Sequence, residues 1–160
     1  MRRVITDYRA ALDWLAAADQ RRRRGSTAGG YLDVRNTREL FHQFAERAER
    51  HGVPYAFTAA AGAELLESPV LTRLETVQVR VGLFTPDDAV RVLELEPATG
   101  ASGANVEVWA DTGELGTFRA NNVHGVNVAP PIRIWLDLAR QGGRSVDAAQ
   151  LFREQTLERI

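Results

Sequence analysis

Residues 76 to 81 alternate without a break. Val77, Val79 and Val81 fall on one side and Thr76, Gln78 and Arg80 on the other. A period of two is what a strand with one buried face imposes. Elsewhere the apolar residues recur at helical spacing, as in Ile5, Tyr8, Leu12 and Leu15 near the start of the chain. A chain that switches between these two periods has to pack helices on a sheet. The fold class expected is therefore α+β, a mixed central sheet flanked by helices. With 160 residues, one domain is expected, divided into an N-terminal helix (1–24), a flexible loop (25–30) and an α+β core (31–160).

The punctuation of the sequence places further elements. Residues 25–30, Gly-Ser-Thr-Ala-Gly-Gly, favour a loop over regular structure, and residues 31–34 read as a short strand. Asn36 followed by Glu39 resembles a capping box opening a helix that runs to about Arg50 and stops at Gly52. Tyr55-Ala56-Phe57-Thr58 reads as a strand running into an alanine-rich helix that Ser68-Pro69 breaks. Thr85-Pro86 is a helix start, a hydroxyl cap before a proline. Residues 105–110 alternate again with Trp109 on the outward side, and Thr112-Gly113 suggests a hairpin with 115–119. A strand over 123–128 ends at Pro130-Pro131. Ile134, Trp135 and Leu138 form a helical face, Gly142-Gly143 breaks it, and Ser145 caps a last helix with Ala148, Ala149, Phe152 and Leu157 inside.

Several chemistries are missing from the residue inventory. There is no cysteine, so no disulfide, thiolate site or cysteine nucleophile is available. No apolar run reaches the roughly 20 residues that span a bilayer; with no secretory signal in view, the expected setting is cytoplasmic, without membrane contact. The formal net charge of -1 exerts no general pull on nucleic acid. All 20 basic residues are arginine, a composition that fits GC-rich bacterial coding better than selection at a site. The phosphate-binding loop motif is impossible without lysine, and no Gly-x-Ser-x-Gly elbow is present. His42, His51 and His124 are isolated from one another and from metal-pair spacing. No catalytic residue, metal ligand or cofactor is therefore expected.

Two features remain as contact candidates. Arg21, Arg22, Arg23 and Arg24 form the one dense charge run; they could grip phosphates, although a solvated helix C-terminus accounts for them at least as well. Trp109 is the candidate partner-facing aromatic.

Two nucleotidyltransferase-like signals are incomplete. Gly25-Ser26 resembles the pair with which nucleotidyltransferases commonly open, yet Asp33 is followed by Val34 and Arg35 instead of a second aspartate two residues on. The strand-helix-strand order from Tyr55 to Val81 resembles the core of minimal nucleotidyltransferases, but its two metal positions would be Thr76 and Gln78, both neutral. Two-metal chemistry needs paired carboxylates, so a core of this kind would be degenerate and inactive.

Five segments taken in order resemble the C-terminal region of the AbiEi family, antitoxins and transcriptional regulators of type IV toxin-antitoxin systems. They are Tyr55-Ala56-Phe57-Thr58 with Ala59-Ala60-Ala61, Gly103-Ala104-Asn105-Val106-Glu107-Val108, Val128-Ala129-Pro130-Pro131, Ile134-Trp135-Leu136-Asp137-Leu138, and Gly143-Arg144-Ser145-Val146-Asp147-Ala148-Ala149. The resemblance covers about residues 30 to 155 and implies a non-enzymatic role opposing a nucleotidyltransferase-like toxin, with no direct complex assumed. DNA reading in that family belongs to a winged-helix segment for which this sequence leaves no room ahead of the matching region. The alternatives from other classes are a nucleotide-acting enzyme or inactive nucleotidyltransferase-like domain, and a dimerisation module that joins two DNA-reading arms through a Trp109 face.

Overall fold

The computed structural model describes residues 7–22, 25–68, 74–98, 103–119 and 121–159. In chain order its elements are α1 (Tyr8–Arg21), β1 (Thr27–Tyr31), α2 (Thr37–Arg50), β2 (Tyr55–Thr58), α3 (Ala59–Leu65), β3 (Val77–Val81) and α4 (Pro86–Val92). There follow β4 (Glu96–Pro97), β5 (Val106–Ala110), β6 (Asn121–Val123), β7 (Val126–Val128), α5 (Pro131–Gln141), α6 (Arg144–Phe152) and a π-helical turn (Arg153–Leu157). The strands make one mixed sheet in the order β4-β1-β5-β3-β2-β7-β6. Strands β3 and β5 run parallel, as do β2 and β7, while β1 is antiparallel to β5 and β2 to β3. The α+β class and the helix-flanked mixed sheet read from the sequence are those observed.

Each face of the sheet carries its own core. On one side Phe57, Val77, Val79, Val81, Val106 and Val108 meet the apolar stripe of α2, which is Leu40, Phe41, Phe44, Ala45 and Ala48, together with Ala89 and Val90 of α4. Phe41, Phe44, Tyr55 and Phe57 pack edge to face with ring centroids 4.9 to 5.9 Å apart, the geometry that aromatic quadrupoles favour. On the other side Leu12 of α1, Ala59 and Ala63 of α3, Ile134, Trp135 and Leu138 of α5, and Ala149 and Phe152 of α6 form a second cluster with Ala56. The alternation over 76–81 therefore marks a strand covered on both faces: its polar face is buried too, Gln78 being 6% exposed.

Local signals act as read at several helix ends. Asn36 Oδ1 accepts from Glu39 N–H at 2.9 Å, and Glu39 Oε2 accepts from Arg35 N–H at 2.9 Å, one residue before the cap. Thr85 Oγ1 caps α4 by accepting from Asp88 N–H, with Pro86 opening the helix. Gly52, at φ +65°, follows the cap of α2.

Other expectations are corrected. The segment 25–30 is not a flexible loop, because from Thr27 onward it is β1, held between β5 and β4. Its small residues serve close approach. A Cβ on Gly30 would lie 3.0 to 3.1 Å from Leu95 carbons. The strand expected over 31–34 ends at Tyr31, where Asn105 takes over: its side chain accepts from Leu32 N–H at 2.9 Å and donates to Leu32 O at 2.7 Å. No hairpin joins β5 to 115–119, since β1 and β3 already flank β5. The hairpin is instead β6–β7, turning at His124 and Gly125, both at positive φ. Gly143, and not Ser145, caps α6. Ile5, Pro69, Thr72 and Arg73 lie outside the described residues.

Phe57 is fully buried at the centre of the aromatic group. Phe57→Ala is expected to lower stability by about 3–5 kcal/mol through lost burial and a residual cavity, read as a fall in the urea midpoint with an unchanged slope.

Candidate functional site

Because β3 and β5 are parallel, Arg80-Val81 and Trp109-Ala110 end at the same border of the sheet, the border at which ligands lodge in open α/β sheets. Antiparallel β1 starts there, Thr27 pairing with Trp109. Helix α5 crosses this border and carries Arg133, Asp137 and Arg140 at spacings of four and three, one helical face. Asp19, in the last turn of α1, faces the same place. Together they wall a cleft of about 310 Å³ whose lining includes Asp19, Gly25, Ser26, Trp109, Asp111 and Arg140.

Asp137 organises the charges. Its side chain is fully buried, and its oxygens accept from Arg80 Nε (2.8 Å) and Nη2 (2.6 Å), from Arg133 Nε (3.1 Å) and Nη2 (2.9 Å), and from Thr58 Oγ1 (2.5 Å). Arg80 Nη1 donates to Asp111 Oδ2 at 2.9 Å, and Thr117 Oγ1 donates to the same oxygen at 3.1 Å. The other Asp111 oxygen accepts from Gly113 N–H at 2.5 Å and fixes the loop after β5. Arg133 Nη2 also donates to Asp19 Oδ1 at 3.2 Å, and Arg140 Nη1 stands 3.9 Å from Asp19 Oδ2. Asp19 is 6% exposed, yet its Oδ2 has no hydrogen-bond partner among the described residues.

Burial alone would disfavour the charge on Arg80. The hydrogen bond and charge of Asp137, followed by those of Asp111, outweigh it and hold the guanidinium above its ordinary pKa. Since the folded value is the raised one, the stability it contributes is fully present below the ordinary arginine pKa and is lost only as pH rises through the higher folded value. Arg80 is thus a fixed cation at neutral pH. Its Cζ lies 5.4 Å from the centre of the Trp109 ring, within cation–π range.

The expected contact residues fare differently. Trp109 is not partner-facing: it is 9% exposed, with Arg80 over its ring and its indole Nε1 donating to Glu107 Oε1 at 2.6 Å. Little of the Trp109 side chain is therefore left on the surface, and what is left lines the cleft. Arg21 is exposed at the end of α1. Arg22 sits at the cleft mouth, its Nη1 2.8 Å from Glu114 Oε2, with both side chains more than half exposed, so the pair adds little stability. Arg23 and Arg24 lie outside the described residues. Gly25 and Ser26, set aside in the sequence as linker, line the cleft. Asp33 is exposed beyond the far end of β1, away from the cleft border. His42, His51 and His124 are exposed. Among the described residues no three His, Cys, Asp or Glu side chains group as a metal site, and no helix is long and apolar enough to cross a membrane.

Sequence reasoning missed Asp19, Arg80, Asp111, Arg133, Asp137 and Arg140. A signal existed for two of them. Asp19 extends the stripe Tyr8, Leu12, Leu15 by one further step of four, and Asp137 follows Arg133 by four inside an otherwise apolar run. A carboxylate on a helix's inner face requires a cation opposite it.

Fold and site together define an α+β domain with an arginine–aspartate cleft at the carboxyl ends of two parallel strands. No protein-family model, curated protein or solved structure matches the chain.

Removing Asp137 would take the shared bidentate partner from Arg80 and from the buried Arg133, leaving Asp111 to the first and Asp19 to the second. Asp137→Ala is expected to cost about 3–5 kcal/mol, and Asp137→Asn less, both measured as shifts in thermal unfolding at pH 7.

Proposed function

We propose that this chain is a non-enzymatic domain of the antitoxin type, akin to the C-terminal region of AbiEi regulators, which counteracts a nucleotidyltransferase-like toxin in the cytoplasm without forming a tight complex with it. The observation that carries this reading is the meeting of two resembling segments. Thr58 ends Tyr55-Ala56-Phe57-Thr58, Asp137 lies in Ile134-Trp135-Leu136-Asp137-Leu138, and they share a 2.5 Å hydrogen bond in the interior. Asn105, from a third segment, joins β5 to Leu32 by two more. These contacts between the segments support reading them together.

The state of the carboxylates supports a binding role over a catalytic one. Asp111 and Asp137 are already engaged by Arg80 and Arg133. An acid whose oxygens are taken up by guanidinium donors is a poor ligand for a divalent cation. Thr76 and Gln78, the positions that would have to carry metal-binding acids in a nucleotidyltransferase, remain neutral. In this reading DNA contact is the task of a winged-helix segment not found in the sequence.

Co-expression with a nucleotidyltransferase-like toxin encoded beside the chain is expected to restore growth, and Asp137→Ala to abolish the rescue. Growth arrest of undiminished strength in cells holding abundant folded wild-type chain would reject the proposal.

A further inference from the structure

The unpartnered oxygen of Asp19 and the arginines around it assign a ligand to the cleft. We propose that the cleft binds a nucleobase through its lactam edge, the adjacent ring N–H and C=O found in guanine and uracil. This inference is independent of the antitoxin reading.

The argument begins with charge balance. The inner wall holds Arg80, Arg133 and Arg140 against Asp19, Asp111 and Asp137, three cations and three anions. With Arg22 and Glu114 paired at the mouth, a phosphate or other free anion would meet no excess of positive charge among the described residues, and a cation no excess of negative charge. A neutral group is the match.

The unsatisfied atoms then set its hydrogen-bonding pattern. Asp19 Oδ2 is an acceptor without a donor. Arg133 spends Nε and Nη2 on Asp137 and Asp19, leaving its Nη1 protons without a protein acceptor among the described residues. Arg140 donates through Nη2 to Arg22 O, and its Nη1 stands 3.9 Å from Asp19 Oδ2. That gap is too long for a direct hydrogen bond. It suits a bridging group that donates to the carboxylate and accepts from the guanidinium. In a lactam the ring nitrogen and carbonyl oxygen are separated by roughly 2.3 Å, given bond lengths of about 1.33 and 1.23 Å, so hydrogen bonds of about 2.9 Å reach both sides of the gap. The carbonyl's two lone pairs can take one proton from each arginine.

Size and wall chemistry favour a ring. At about 310 Å³ the cleft lies at the lower end of the range for small-ligand sites. Trp109 and Ala110 line it beside the polar groups, and a base offers an apolar face together with a polar edge in its own plane.

Isothermal titration of the full chain tests the assignment with guanosine, uridine, N3-methyluridine and inorganic phosphate. Guanosine and uridine are expected to bind below about 1 mM. N3-methyluridine, which lacks the ring N–H, and the Asp19→Asn variant with uridine are each expected to bind roughly tenfold more weakly or worse, as loss of a charge-assisted hydrogen bond requires. Should the variant fail to fold, the methylated nucleoside on the wild-type chain makes the same comparison. A single-stranded RNA ending in uridine separates the sources: tighter binding than free uridine assigns the edge to RNA, and equal binding to the free nucleoside. No binding of any of these bases at 1 mM, equal binding of uridine and its N3-methyl form, or phosphate bound as tightly as nucleoside would overturn the proposal, leaving Asp19 Oδ2 to water alone.

Discussion

The buried carboxylate of Asp137 is the constraint on which the rest depends. An isolated anion in a protein interior is prohibitively costly, and this one is accommodated by donors from three separate elements: Thr58 at the end of β2, Arg80 on β3 and Arg133 one turn away on α5. Each donor has to be in register for the anion to be tolerated. The strand pairing that sets Thr58 opposite Gln78 and the placement of α5 are therefore specified together. Such a group contributes less to net stability than to selecting one arrangement among compact alternatives.

The same charges give the cleft its character. Arg80 is shared between Asp137 and Asp111, and Asp111 in turn holds Thr117 and the turn at Gly113. Buried ion pairs, the loop after β5 and the ring of Trp109 thus form one connected wall. A molecule bound there would meet polar atoms already held by hydrogen bonds, which lowers the ordering cost that opposes association.

Much of the fold was legible because its signals are local. The capping box at Asn36 and Glu39, the Thr85-Pro86 start and the alternation over 76–81 each act within a few residues. The site was far less legible, since its pairings join residues distant in sequence: 57 positions separate Arg80 from Asp137, and 114 separate Asp19 from Arg133. Trp109 misled for a related reason. The alternation correctly placed it opposite Val106 and Val108, but only the tertiary arrangement reveals that Arg80 lies over its ring and that it is nearly buried. Glycine-rich β1 misled in the opposite sense, because strand propensity reflects packing against neighbours, and Gly29 and Gly30 are seated against Ala98, Ala104 and Leu95.

The two outermost strands of the sheet carry a consequence for behaviour in crowded surroundings. One border is β4, just Glu96 and Pro97, both exposed; the other is β6, three residues long with two asparagines. A proline cannot donate to an incoming ladder, and a charged or very short border gives a neighbouring chain little to extend. The described sheet therefore presents poor templates for open-ended strand addition, the step by which fibrils grow.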